Sequence, residues 1–489
     1  MGNMRASHPP SLRIFFTTEM WERYGFYVVQ TLLALFLSLH FKWDDKAVYA
    51  LVGSFTALTY VSPVIGGWIA DYLIGQKRAI LAGAVILLFA YIALMTLALG
   101  GSSTLGLTAS LAGIAVGTGL LKPNISSLLG NEYPEDSPLR DAGFTFFYMG
   151  ITSGIILGST VPGVLNYHFG WPISFMSAAF GMVIAIAIFS FGCHRYKIAD
   201  YSTYQYEFKN LVLAGFIMTS MWIASFFILH YPAVANSVFI SIVILSLVYF
   251  IYSAQQEPCA LLTRKIWIIA LLCVISAMFW ALYFQMFMSL TLFITRSVEP
   301  SLFGIQFPAP YYVSIQSLGA IIFGFLILWH RKKKIKAVKQ SGDYANKFVY
   351  AMCFMTLGYL IISAVCHYNT GLALISPLLI IPAYLVFSLA ELYLYPVGLS
   401  AITVLASRKK VSTMMGIFLV SLGIGGFLSG KLAYLTAIPT GETSAIIINA
   451  HYALAFNKLL FILLGATLLC IGINFLIHYL LKGDRVNLT

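Results

Sequence analysis

Fourteen stretches of roughly twenty or more mostly apolar residues run through this chain, and few folds accommodate such a pattern. A helix needs about 20 such residues to cross the hydrocarbon core of a bilayer. The stretches lie near 12–39, 47–74, 78–100, 104–130, 141–167 and 171–194, then 210–230 and 233–254, then 265–295, 309–330, 346–367, 371–405, 411–436 and 452–481. They group as six, two and six. Only 9% of the 489 residues are charged and 60% are hydrophobic, whereas soluble domains carry about 25% charged residues. The chain reads as an all-α integral membrane protein.

Lys and Arg mark the cytoplasmic side of such proteins. Arg5 and Arg13 precede the first span, Lys77 and Arg78 follow the second, and Arg195, Lys197 and Lys209 follow the sixth. Arg264 and Lys265, the run His330 to Lys339, and Arg408, Lys409 and Lys410 mark later loops on the same side. The intervening loops 100–104 and 166–170 are nearly free of Lys and Arg. The loop 131–141 is net acidic although the count places it inside; the rule follows Lys and Arg rather than net charge. An even number of spans puts both termini in the cytoplasm, with the protein in the plasma (inner) membrane. The first apolar stretch is long enough to span and lacks a small-residue cleavage site, so no cleavable signal is expected. The net charge of +12 is a topology signal, and no nucleic-acid partner is expected. The six cysteines show no CxxC spacing and read as reduced packing residues.

"GGWIADYLIGQKRAI" (66–80) joins the second and third spans with Gly67, Asp71, Gly75, Lys77 and Arg78. This spacing resembles the loop motif of the major facilitator superfamily. That resemblance implies two six-helix bundles, 1–194 and 265–489, with 195–264 a linker holding two extra membrane helices. Small residues let helices approach closely, and Asp71 reads as part of a conformational latch. The matching region of the second half, 319–334, keeps only small residues and a basic end.

Five charged residues lie deep in apolar spans: Glu19, Glu22, Arg23, Lys122 and Glu391. Each costs at least about 2.5–3.5 kcal/mol at the bilayer centre. At 100° per residue Glu19, Arg23, Tyr27 and Gln30 share a helix face, with Glu22 at its flank. Two cations and three carboxylates leave one carboxylate without a mate. A buried carboxylate with no counter-charge tends to hold a proton, which is what a proton-coupled carrier requires. Ion pairs that only lock helices together are the structural alternative. Pro123 frees the carbonyl of Gly119 and Pro396 that of Leu392, a disruption tolerated beside a polar cavity. All nine histidines lie in loops or near span ends. That argues against a membrane-embedded enzyme with a nucleophile–base or metal cluster. A receptor or scaffold would not need an odd intramembrane carboxylate.

The segments "EMWERYGFY" (19–27), "GTGLLKPN" (117–124), "FYMGITSG" (147–154), "FWALYFQ" (279–285) and "ELYLYPVGLS" (391–400) occur in order along nearly the whole chain. With them, the chain resembles the proton-dependent oligopeptide transporter family. The resemblance implies a proton-coupled symporter importing di- or tripeptides by alternating access, or a relative carrying a non-peptide solute such as an amino acid derivative or a drug-like compound. It implies that Glu19, Glu22, Arg23 and Lys122 handle protons and hold a peptide's C-terminus, and that Glu391 meets its amino terminus. Tyr27, Tyr60, Tyr148 and Trp280 would line the cavity. No cofactor or metal is implied beyond protons as coupling ion, and the partners would be a small peptide, protons and the lipid bilayer. A monomer is expected. The chain departs from the family where an arginine is Gln30 and a seventh-helix acid is Phe284, two positions that can pair across the family's outer gate. Losing both partners of a buried pair can be nearly neutral, so the two changes read as one replacement. Thr152, Tyr395 and Ile417 replace an asparagine, a serine and a tryptophan, which puts ordinary di- and tripeptide specificity in question.

Overall fold

Proline, glycine and short polar turns cut the chain into helices of membrane-crossing length. The computed structural model describes residues 8–134, 137, 139–200, 207–332, 342–371, 374–407, 410–439, 441–442 and 444–482. Most of the basic run 330–339, together with Arg5, Arg408 and Lys409, lies outside them. The helices are α1 (Leu12–Leu35), α2 (Asp45–Ile69), α3 (Gln76–Ala98), α4 (Thr104–Asn131), α5 (Arg140–Arg195), α6 (Phe208–His230) and α7 (Pro232–Gln255). They continue as α8 (Ala260–Tyr283), α9 (Ser289–Ser297), α10 (Pro310–Lys332), α11 (Gly342–Tyr368), α12 (Ile381–Leu405), α13 (Val411–Ala433) and α14 (Ala445–Lys482). A two-stranded antiparallel hairpin, Ser301–Leu302 with Ile305–Gln306, follows α9.

Among the described residues, twelve helices are long and apolar enough to cross a membrane. α5 is a merger of two helices broken at Gly170, whose φ of 79° suits a residue without Cβ. α1 is not among the twelve, because every eighteen-residue stretch of it contains Glu19, Glu22 and Arg23. Adding α1 and dividing α5 at Gly170 yields fourteen crossings. The seventh core crossing is itself interrupted, since a 3₁₀ turn at Phe284–Phe287 separates α8 from α9.

Contacts group the chain into two units, 1–41 with 58–234, and 42–57 with 235–489. The two inserted helices are therefore divided between them, whereas the sequence reading sets both in a separate linker. In the first unit, Trp222 Nε1 of α6 donates to the Ala109 carbonyl of α4 (3.1 Å). In the second, Phe239 of α7 stacks on Phe427 of α13. Both inserted helices leave large apolar side chains such as Phe216 and Leu245 exposed, as lipid-facing helices do.

Within the first unit α1 packs along α5 on a stripe of glycines. A Cβ on Gly150, Gly154 or Gly158 would lie 2.8, 2.4 or 2.6 Å from the backbone oxygen of Phe16, Met20 or Tyr24. Only a residue without a side chain permits that approach, and it presses the charged turn of α1 against α5. The later part of α2 meets α4 just as closely: a Cβ on Gly66 would fall 2.1 Å from the Gly119 oxygen.

Candidate functional site

Three buried charged residues of the first unit gather on one turn of α1. Glu19, Glu22 and Arg23 are all buried. Glu22 grips Arg23 through two hydrogen bonds, from Nε to Oε2 (2.5 Å) and from Nη2 to Oε1 (2.6 Å). Glu19 Oε1 stands 3.4 Å from the same Nε. Its other oxygen, Oε2, is buried with no hydrogen-bond partner among the described residues. One guanidinium thus serves two carboxylates.

Among the described residues, Lys122 on α4 closes no ion pair in return. Its Nζ lies over the Tyr60 ring, 4.8 Å from the centroid, within electrostatic reach of Glu19, Glu22 and Arg23. The one-to-one pairing that charge counting invites is therefore not how these groups are arranged. Arg23 lies over the Phe26 ring at 5.0 Å. Pro123 breaks the α4 ladder where Asn124 Nδ2 donates to the carbonyls of Leu120 (2.6 Å) and Gly66 (3.3 Å). Thr152 is buried and gives its hydroxyl to the Tyr148 carbonyl of its own helix (3.1 Å). Gln30 is buried on α1, Tyr27 is half-buried and Tyr148 is exposed.

The second unit holds Glu391, half-buried on α12. Its Oε2 accepts from the Tyr283 hydroxyl of α8 (2.9 Å) and from Gln316 Nε2 of α10 (2.6 Å). No cation pairs with it among the described residues. Trp280 stacks on Phe284 (5.1 Å) and meets the Tyr395 ring edge-on (5.8 Å). A Cβ on Gly425 of α13 would lie 2.5 Å from Trp280 Cβ, so that glycine fixes where the indole stands.

The loop motif holds its place through residues beyond it. Gly75 has a φ of 82°, and a Cβ there would lie 2.6 Å from Asp200 Oδ2. The Gln76 amide donates to Asp200 Oδ1 (3.0 Å), and Lys77 donates to the Ile198 carbonyl. Asp71 and Arg78 are exposed, and Asp71 takes a hydrogen bond from Gln76. Gly67 has only ordinary contact, to Pro123 Cβ at 3.9 Å; the close approach belongs to Gly66.

Sequence reasoning missed Asp200, Tyr283, Gln316 and an ion pair inside the second unit. Arg296 reaches Asp45 with two bonds of 2.7 Å, and Asp45 Oδ2 also accepts the Ile438 amide (2.9 Å). Arg296 Nη1 further donates to the Tyr452 hydroxyl (3.1 Å). A signal was present: Arg296 is a lone cation at a span end on the side where Lys and Arg are sparse.

Comparison with known proteins agrees with the resemblance. A sequence model of the POT family matches residues 77–452. The dipeptide and tripeptide permease A of Yersinia pestis is 28% identical over 466 residues, covering 94% of this chain and 89% of that protein. The dipeptide and tripeptide permease B of Edwardsiella piscicida is 29% identical over 462 residues, covering 92% and 91%. Among solved structures, a mutant of a peptide transporter POT in complex with alafosfalin superposes with a TM-score of 0.82 at 26% identity, covering 98% of this chain and 97% of that one.

Proposed function

This chain belongs to the POT family, and from that membership we propose that it is a proton-coupled symporter importing small peptides by alternating access. Peptide transport is in the names of its relatives. The observation that carries the reading is the shared guanidinium: Arg23 holds Glu22 through two hydrogen bonds, while Glu19 keeps an oxygen with no hydrogen-bond partner among the described residues. A buried carboxylate oxygen in that position can take a proton and give it up again as the charge around it changes. Protons are the coupling ion, and no organic cofactor takes part. Arg23 and Lys122 would attract a peptide's carboxylate, Glu391 its amine, while Tyr27, Gln30, Tyr60, Tyr148, Thr152, Trp280, Phe284 and Tyr395 shape the space for its side chains.

The same reading makes the protein a transporter rather than an enzyme, working as a monomer in the inner membrane with both termini in the cytoplasm. A non-peptide solute is the second reading. It is favoured by Thr152, whose hydroxyl is spent on its own helix, and by Tyr395, which fills volume beside Trp280. The deciding experiment is uptake into proteoliposomes with an imposed inward proton gradient. Labelled dialanine should accumulate and a protonophore should abolish the accumulation; undiminished uptake would reject proton coupling. No uptake of any di- or tripeptide, with gradient-driven uptake of an amino acid derivative, would favour the second reading.

A further inference from the structure

Glu391 is a carboxylate held by neutral donors on two other helices. Its Oε2 takes both of them, the Tyr283 hydroxyl and the Gln316 amide, and among the described residues Oε1 takes no hydrogen bond. Neither donor is free to wander. Tyr283 is buried, stacked on Phe279 (5.8 Å) and set edge-on against Trp280 (4.8 Å). Gln316 is buried too, and its backbone carbonyl accepts the Ser388 hydroxyl of α12 (2.6 Å). Ser388 lies one turn before Glu391. A Cβ on Gly319 would meet that same hydroxyl at 2.5 Å, so α10 and α12 touch at this level and their register is set.

We propose that Tyr283 and Gln316 are positioning residues: they hold Glu391 Oε2 so that Oε1 is presented to the ammonium group of the substrate. The inference rests on the reading that Glu391 meets a peptide's amine, and extends it to two side chains that never touch the peptide. A carboxylate fixed by two hydrogen bonds has already lost its rotameric freedom before the ligand arrives, which is how preorganisation strengthens binding. The donors are neutral, so they leave the negative charge available to an incoming cation. A lysine or arginine there would have quenched it.

The test compares alanyl-alanine with N-acetyl-alanyl-alanine, as transported substrate or competitor, in proteoliposomes holding wild type, E391Q, Y283F or Q316L. Each variant's melting temperature in detergent serves as the folding check, and binding to purified protein gives a second measurement where transport fails. Removing one hydrogen bond to a charged group is expected to weaken alanyl-alanine about tenfold. The acetylated probe should change less than about twofold, with the maximal rate retained. Restoring a donor, as in Q316N, should recover part of the selectivity. Equal weakening of both probes in Y283F and Q316L, while E391Q still separates them, overturns the positioning role alone. If E391Q and wild type treat the two probes alike, the amine reading falls and the proposal falls with it.

Discussion

Arg296 and Asp45, 251 positions apart in the chain, close a two-point ion pair within one unit, both contacts at 2.7 Å. Asp45 is 4% exposed and also caps the Ile438 amide. One short contact set therefore ties the start of α2, the end of α9 and the segment after α13. Stranding either member leaves a charge in a largely dry place, which costs about 3–5 kcal/mol for a buried pair. R296Q and D45N should each lower the melting temperature in detergent well below that of wild type. The double variant should lose less than the sum of the two. Strict additivity in the double-mutant cycle would mean that the pair carries no coupling energy.

Proton coupling should be separable from substrate passage at Glu22. With Gln in its place, Arg23 keeps a hydrogen-bond acceptor but loses the carboxylate that neutralises it, so its charge turns to Glu19, which then no longer takes up and releases the coupling proton. E22Q is expected to abolish accumulation driven by a proton gradient while preserving exchange of labelled for unlabelled peptide. Gradient-driven accumulation at wild-type level would remove Glu22 from the coupling set.

Lys122 has an aromatic face beneath it and no carboxylate bound to it among the described residues. Its ammonium is therefore available to a ligand's carboxylate. A charge-assisted hydrogen bond contributes about 1.5–3 kcal/mol, so K122Q should raise the half-saturation concentration for peptides with a free C-terminus at least about tenfold. Amidated peptides should shift far less. A common shift for both would assign Lys122 to folding instead.

Neighbouring glycines of the 66–80 loop motif should behave oppositely. A methyl on Gly66 collides with the Gly119 backbone at 2.1 Å, whereas on Gly67 it meets only Pro123 at 3.9 Å. G66A should destabilise by about 1–3 kcal/mol through overpacking, and G67A should be nearly neutral or slightly stabilising. Thermal denaturation of the two purified variants decides it, and equal melting temperatures would contradict the close approach.

Hydropathy is a property each segment has with respect to the bilayer alone, and for that reason the spans and the six, two and six grouping were legible before any folding was considered. The cost of a charge in hydrocarbon is equally local, so Glu19, Glu22, Arg23, Lys122 and Glu391 stood out by themselves. Pairing is a property of two or more segments at once. Nothing along the chain says that one arginine serves both Glu19 and Glu22, that Lys122 rests on Tyr60, or that Glu391 is held by Tyr283 and Gln316. Arg296 stands out in the sequence only as a lone span-end cation, and its partner Asp45 does not stand out at all, because a separation of 251 positions hides a contact that only helix packing creates. The glycines followed the same division: small residues announced close approach, but only the tertiary structure decided that Gly66 rather than Gly67 makes it, since one residue along a helix turns the side-chain position by about 100°.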